Sequence, residues 1–196
     1  MPERRTAVID LGSNSFRLVV FTAGEGWWKR TDEIYEAVRI GAGLAASGEL
    51  GRKPMARALE TLAVFDHFCR ATGLPPGDVQ AVATSAIRDA RNRGAFLARA
   101  RETAAFDVRV LAVQEEARYG WLAGVNSTAL RDGAVLDLGG GSLQLVQTRG
   151  RRAGEMGSWP LGAVRMTERF LPAGEPPSRK RLRALRAHVA GELATA

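Results

Sequence analysis

Two copies of a glycine-rich turn are the part of this sequence best suited to chemistry. Residues 7–20 and 134–147 share eight of fourteen positions at an offset of 127. In each copy an apolar strand ends in an aspartate, Asp10 or Asp137, and a turn of small residues follows. Glycine lets backbone N–H groups come close to a ligand, and successive N–H groups in one concavity bind anions. An adjacent carboxylate can hold hydrated Mg²⁺, which prefers one or two carboxylates plus phosphate oxygens.

The repetition favours a functional interpretation, since a single Asp before a turn more often serves only to form that turn. Two such turns facing each other would hold a phosphate chain from both sides, so the pattern predicts a cleft between two related lobes. We expect Mg²⁺ as the cofactor, held by Asp10 and Asp137. The predicted phosphate-binding residues are Gly12, Ser13, Asn14, Ser15, Gly139, Gly140, Gly141 and Ser142.

The composition excludes several other kinds of site. Cys69 is the only cysteine, and the chain has two histidines, which argues against an internal disulfide, a cysteine-based zinc site and a Ser-His-Asp triad. No apolar run reaches the roughly 18 residues of a membrane helix. The N-terminus has no signal-peptide core. We therefore expect a cytoplasmic protein with no membrane association.

Much of the net charge of +7 lies near the C-terminus, where residues 151–196 carry a net +5. Two interpretations are open: a solvated helix face, or an electric field that attracts a polyanionic substrate. The basic residues there are not interleaved with aromatic ones in the way that stacks bases. We therefore expect no nucleic-acid partner.

The elements that must position the two turns alternate between strand and helix. Apolar periodicity and Gly/Pro punctuation predict a three-strand meander, then alternating helices and strands, and then a second meander followed by two helices. A loop carrying Arg88 and Asp89 is expected between the fourth strand and its following helix. The predicted strands are 6–11, 16–22, roughly 27–38, 79–83, 108–113, 134–138, 143–148 and 152–158, and the predicted helices are 55–71, 93–104, 114–125, 163–170 and 178–194.

This order indicates an α/β protein with a duplicated domain, rather than a short-period repeat array. We predict an N-terminal lobe over residues 1–126 and the start of a second lobe over residues 127–196. A second lobe of matching length would run to roughly residue 250, given the 127-residue offset. The pattern therefore predicts that the second lobe is incomplete in this sequence; the alternative is a naturally short second lobe.

Four motifs in this order and spacing resemble the exopolyphosphatase and guanosine pentaphosphate phosphohydrolase (Ppx/GppA) family, within the actin-like ATPase and sugar kinase superfamily. They are Asp10–Phe16 (DLGSNSF), Thr84–Arg88 (TSAIR), Glu115–Arg118 (EEAR) and Asp137–Ser142 (DLGGGS), and the segment Pro160–Ala163 (PLGA) is similar as well. The resemblance covers essentially the whole chain. It implies duplicated ribonuclease-H-like (actin-like ATPase) lobes, with mixed sheets flanked by helices.

The resemblance also implies a Mg²⁺-dependent hydrolase of phosphoanhydride bonds. The substrate would be inorganic polyphosphate or guanosine pentaphosphate. By motif, the catalytic glutamate falls on Glu116, the metal-associated aspartate on Asp137 and the phosphate-binding arginine on Arg88. The family commonly has a second acidic residue where this chain has Gln144. If that carboxylate matters, Gln144→Glu should raise activity or tighten the use of Mg²⁺.

The residues themselves allow these roles. Phosphoryl transfer to water needs a positioned nucleophile, and a carboxylate can orient the water and take its proton. Glu115 and Glu116 point about 100° apart on a helix, so only one can face a cleft. The alternative is that both acids simply favour the first helical turn. Arg88 can clamp a phosphate bidentately, although a single arginine among many is more often a surface charge.

Two other functions stay open at this point. The first is a kinase or ATPase on the same fold, since a fold does not determine its chemistry. The second is a non-catalytic sensor of polyphosphate or guanosine alarmones, for which Gln144 in place of an acid is the best support. The oligomeric state also stays open, with a homodimer as one alternative.

Overall fold

The computed structural model describes residues 3–171 and 176–194. The chain divides into two compact units, Met1–Leu111 and Ala112–Ala196. The two units are described separately below.

The first unit is a five-stranded mixed sheet with helices packed against it. The strands run in the order β3-β2-β1-β4-β5, with β1, β2 and β3 antiparallel and with β4 parallel to both β1 and β5. The strands are β1 (Arg4–Leu11), β2 (Phe16–Gly24), β3 (Trp27–Glu36), β4 (Val79–Ala83) and β5 (Val108–Val110). The helices are α1 (Leu44–Ser47), α2 (Arg52–Ala71), α3 (Ser85–Asp89) and α4 (Arg93–Thr103), with a 3-10 helix at Pro76–Asp78.

The core of this unit follows from the two periodicities of its sequence. Alternate residues of β1 and β2 face inward, because side chains alternate between the faces of a strand. Helix α2 presents buried residues at helical spacing, and it ends where Gly73 adopts a φ of +73° that favours glycine. The buried side chains include Ala7, Ile9, Leu11, Phe16, Leu18, Val20, Ala58, Leu62, Phe65 and Cys69.

One prediction for this unit is wrong, because residues 85–89 form helix α3 rather than a loop. Its first turn is closed by the Arg88 N–H, which donates to the Thr84 carbonyl at 3.0 Å. Five residues are too few to show helical periodicity in a sequence. The same limit explains why α1 and the 3-10 helix were not predicted.

The second unit places helix α5 against a three-stranded antiparallel sheet of order β6-β7-β8. Trp121 of α5 donates from Nε1 to the Thr148 Oγ1 of β7 at 3.0 Å, and both residues are buried. Two further helices follow the sheet. The elements are α5 (Val113–Ser127), β6 (Gly133–Leu138), β7 (Leu143–Arg149), β8 (Arg152–Trp159), α6 (Ala163–Phe170) and α7 (Arg179–Leu193).

The second meander repeats the first, since β6–β8 have the same antiparallel order as β1–β3. The predicted α/β class and the duplication are therefore confirmed. Helix α5 belongs to the second unit, whereas the sequence-based boundary at residue 126 places it in the first lobe. The reason is its packing, because Ala117, Trp121 and Val125 cluster with Val146 of β7. Within the described part of the chain, no helix has the length and apolar character needed to cross a membrane.

Candidate active site

The two glycine-rich turns share their closing hydrogen bond. The Gly12 N–H donates to the Ser15 carbonyl at 3.0 Å, and the Gly139 N–H donates to the Ser142 carbonyl at 3.0 Å. Each turn joins two antiparallel strands whose last and first residues pair directly. The repeat seen in the sequence is therefore also a repeat of backbone geometry.

The second turn is held through its carbonyl groups by the start of helix α6. The Gly139 carbonyl accepts from the Ala163 N–H at 2.9 Å, and the Gly140 carbonyl accepts from the Val164 N–H at 2.9 Å. The Gly141 carbonyl accepts from the Arg165 side chain, through Nε, at 3.0 Å. Three successive carbonyls of the turn are thus directed toward α6.

The direction of these carbonyls fixes the direction of the following N–H groups. In a trans peptide the N–H points opposite to the preceding carbonyl, and the described peptide bonds are all trans. The N–H groups of Gly140, Gly141 and Ser142 therefore point away from α6. Successive N–H groups aimed to one side form the kind of concavity that binds an anion.

Gly162 allows this close approach of α6 to the turn. A Cβ built on Gly162 would overlap backbone atoms of Gly140 and Gly141. Backbone atoms cannot rotate away as a side chain can, so any larger residue at position 162 would displace the turn. The sequence pattern around Pro160–Ala163 did not assign this role to Gly162.

The first turn is held in a similar way, by the segment that follows β3. The Ser13 carbonyl accepts from the Gly41 N–H at 3.0 Å, and the Asn14 carbonyl accepts from the Arg39 N–H at 2.7 Å. By the same trans-peptide argument, the N–H groups of Asn14 and Ser15 point away from that segment.

The first turn is also connected to the short helix α3. The hydroxyls of Ser13 and Ser85 share a buried hydrogen bond of 3.0 Å. Arg88, on the same helix, has a side chain only 15% exposed and donates from Nη1 to the Leu111 carbonyl at 3.2 Å. Asp10 is exposed at the end of β1. The first unit thus brings the turn and the TSAIR motif together.

Helix α5 approaches β6 closely through two glycines. A Cβ on Gly120 would lie 2.8 Å from the Oδ2 of Asp137, and a Cβ on Gly124 would lie 2.9 Å from a Val135 methyl group. Residues four apart share a helix face, so Glu116, Gly120 and Gly124 form one row along the β6 side of α5. Glu116 therefore lies one turn before the glycine that contacts Asp137.

The two adjacent glutamates have different tasks. Glu115 accepts from the Ala112 N–H through Oε2 at 2.9 Å, which caps the start of α5. Glu116 is half-buried, and its Oε1 accepts from the Ser142 hydroxyl at 3.4 Å. Gln144, which is 3% exposed, donates from Nε2 to the same hydroxyl at 2.8 Å. The expected divergence of the two glutamates is thus present.

The second unit therefore gathers several predicted site residues around one turn. Asp137 is the second-last residue of β6, close to the glycines of the turn, and Ser142 joins the turn to Glu116. Sequence reasoning missed Gly120 and Gly162, which act through the space they leave open. For Gly120 a signal was present, since Gly120 and Gly124 stand four residues apart on a predicted helix.

The residues present fit Mg²⁺ better than a metal that needs many protein ligands. Among the described residues, no group of three or more His, Cys, Asp or Glu side chains comes together as a metal site. Mg²⁺ keeps most of its waters and needs only one or two carboxylates besides substrate phosphates. The exposed Asp137 carboxylate beside the turn meets that requirement.

Comparison with known proteins assigns the family. The model of the Ppx/GppA phosphatase family matches residues 4–196. This chain belongs to the Ppx/GppA phosphatase family.

Solved structures of this family support the assignment. The PPX-GPPA enzyme of Aquifex aeolicus is 30% identical, with a TM-score of 0.77, over 99% of this chain and 64% of that one. An exopolyphosphatase-like protein is 26% identical, with a TM-score of 0.88, over 100% of this chain and 62% of that one. An exopolyphosphatase from Cytophaga hutchinsonii, 24% identical with a TM-score of 0.88 over 97% and 61% of the two chains, shows the same fold.

These matches confirm the fold that the sequence predicted, an α/β fold with actin-like lobes. The chain spans less than two thirds of the length of each of these relatives.

Proposed function

We propose that this protein hydrolyses phosphoanhydride bonds and releases terminal orthophosphate from inorganic polyphosphate or guanosine pentaphosphate. The observation that carries the proposal is the contact between Glu116 and Ser142. It connects a carboxylate to the turn whose N–H groups are arranged for an anion. Two of the similar structures are of proteins described as an exopolyphosphatase and an exopolyphosphatase-like protein, which favours polyphosphate as the first substrate to test.

Glu116 would act on the attacking water. The turn of Gly139–Ser142 would hold the terminal phosphoryl group by its N–H groups, which stabilise charge on the equatorial oxygens. Because Ser142 both ends this turn and donates to Glu116, a phosphoryl group on the turn would be close to the carboxylate. Glu116 could then orient a water and accept its proton as that water attacks phosphorus.

Asp137 in the second unit and Asp10 in the first unit are each a residue that would hold Mg²⁺. When bound, the ion would neutralise phosphate charge that the protein alone leaves uncompensated. Asp137 lies beside the turn because of its position near the end of β6, and Gly120 leaves space for its carboxylate. The chain's own contribution would be to place that carboxylate next to the N–H groups of the turn.

The first unit carries candidate phosphate-binding groups of its own. The N–H groups of Asn14 and Ser15 suit an anion for the same reason as those of the second turn. Arg88 offers a guanidinium that can bind phosphate oxygens in pairs. Its hydrogen bond to the Leu111 carbonyl restrains the side chain before any ligand binds.

The test is orthophosphate release by the full-length protein from polyphosphate and from guanosine pentaphosphate, with and without Mg²⁺. We expect release from at least one substrate, and its loss when Mg²⁺ is removed by a chelator. Transfer of phosphate from ATP to a small acceptor would instead indicate a kinase. Binding of either polyanion without release would indicate a sensor. Either of those results would contradict the proposal.

A further inference from the structure

We propose that Gln144 is a positioning residue, which orients the Glu116 carboxylate by fixing the direction of the Ser142 hydroxyl. This inference rests on the proposed function, since it assigns Gln144 a part in the same hydrolytic site. At position 144 the resemblance to the family predicts the opposite, namely that an acidic residue would give higher activity than glutamine.

The three side chains form a continuous hydrogen-bonded series. Gln144 Nε2 donates to Ser142 Oγ at 2.8 Å, and Ser142 Oγ donates to Glu116 Oε1 at 3.4 Å. The orientation of the amide is the one assigned from this contact. Gln144 and Ser142 are 3% and 5% exposed, so little water competes for these bonds.

The strand geometry keeps Gln144 in this place. Side chains alternate between the two faces of β7. Gln144 shares the buried face with Val146 and Thr148, whereas Leu143, Leu145 and Gln147 on the other face are partly buried. Thr148 is hydrogen-bonded to Trp121 of α5, and Val146 packs on the same helix. Gln144 is therefore on the face that meets α5, the helix that carries Glu116.

The direction of these hydrogen bonds follows from which groups can donate and which can only accept. A serine hydroxyl has one proton to donate and can accept from another donor. Because the Gln144 amide donates to Ser142, the hydroxyl proton is free to go to Glu116. The hydroxyl then holds one oxygen of that carboxylate.

A carboxylate at position 144 would reverse this direction. An ionised carboxylate only accepts hydrogen bonds, so the Ser142 hydroxyl would donate to residue 144 instead. Glu116 would then lose its hydrogen bond to the Ser142 hydroxyl. The contact therefore predicts that Gln144→Glu lowers activity, the opposite of the gain that the missing family carboxylate suggests.

The first experiment compares three variants of the full-length protein. We expect Gln144→Glu to lower kcat for phosphate release by about 10- to 100-fold, the scale of a mispositioned catalytic group, with KM changed less than about threefold. Gln144→Leu, which has no donor, should also lower kcat. The matched control is Gln147→Glu, since Gln147 lies on the other face of the same strand and contacts Glu155; its kcat should be unchanged. A higher kcat for Gln144→Glu would overturn the inference.

A double-mutant cycle tests whether Gln144 acts through Ser142. If it does, Gln144→Leu should add less than about twofold to the loss already caused by Ser142→Ala, because neighbours in one network are not additive. Full additivity of the two losses would overturn the inference, since a role in folding alone predicts independent effects.

An NMR measurement separates failure of this inference from failure of the proposed function. We expect the Gln144 side-chain amide signals to be protected from exchange with water in the wild type, and Ser142→Ala to remove that protection. If the wild type hydrolyses neither substrate, the proposed function is wrong, and the amide signals still decide whether Gln144 is fixed on Ser142. Unprotected amide signals in the wild type would overturn the inference.

Discussion

Replacing Gly120 with alanine should separate activity from stability. The added methyl group would lie 2.8 Å from the Oδ2 of Asp137. Ordinary contacts of this kind begin at 3.4 Å, so the carboxylate must move by about 0.6 Å. Asp137 is exposed and can rotate outward at little cost. Alanine stabilises a helix interior by up to about 1 kcal/mol relative to glycine. The free energy of unfolding of the Gly120→Ala protein should therefore be unchanged or higher.

The activity should fall nevertheless, because the displaced group is the proposed Mg²⁺ ligand. A misplacement of about 1 Å in an active site can cost about 100-fold in rate, so 0.6 Å should cost roughly 10-fold. The assay is phosphate release as a function of Mg²⁺ concentration, together with the Tm of each variant. We expect Gly120→Ala to need more Mg²⁺ for half-maximal rate.

Two further glycines provide the controls for this experiment. Gly191→Ala in α7 meets no atom within 4 Å and should leave both Tm and rate unchanged or slightly raise Tm. Gly124→Ala should lower Tm, because its methyl would lie 2.9 Å from both Val135 methyl groups in a packed contact. If Gly120→Ala keeps the full rate and Mg²⁺ dependence of the wild type, the position of the Asp137 carboxylate is irrelevant and the account of the site is wrong.

Three other outcomes are expected. Gly162→Ala should lower the rate at least about 100-fold, because its methyl meets backbone of the phosphate turn; a normal rate would show that the turn tolerates the shift. Asp66→Ala should cost about 1–3 kcal/mol in urea unfolding, since it leaves the Ala105 N–H without its acceptor, and Asp66→Asn should restore much of this. Burial, with a contribution from Asp66, raises the pKa of Cys69 to about 11 from 9.0; stability should therefore hold below pH 9 and fall between pH 9 and 11 as the unfolded thiol ionises first. Cys69→Ala should remove that part of the decline, and an identical decline in the variant would contradict it.

The elements with long periodic patterns could be predicted from the sequence. The apolar spacing of helix α2 and the alternation in β1 and β2 each span eight or more residues. Each periodic pattern therefore repeats several times within its element. Strand β4 was predicted with its observed bounds, because Pro and Gly mark its start. Helix α3 was not, since its five residues show no full period.

The parts of the site that depend on residue type could be predicted from the sequence. The parts that depend on close packing between elements could not. The aspartate-glycine turns and the adjacent glutamates are visible as residues, and the capping role of Glu115 follows from helix physics. The contribution of Gly162 depends on how closely α6 approaches a turn more than 20 residues earlier in the chain. The donation from Gln144 to Ser142 likewise depends on which face of β7 meets α5. Both features depend on contacts between elements that are distant in the sequence, so neither can be predicted from the neighbouring residues.

The most direct test of the central claim is orthophosphate release by Glu116→Gln compared with Glu115→Gln. The account predicts that Glu116→Gln binds polyphosphate like the wild type but loses activity by roughly 100-fold or more, the scale of a missing general base. Glu115→Gln keeps an oxygen for the Ala112 N–H and should stay within a few-fold of the wild type. Equal activities of the Glu116→Gln protein and the wild type would contradict the assignment of Glu116 as the group that activates water.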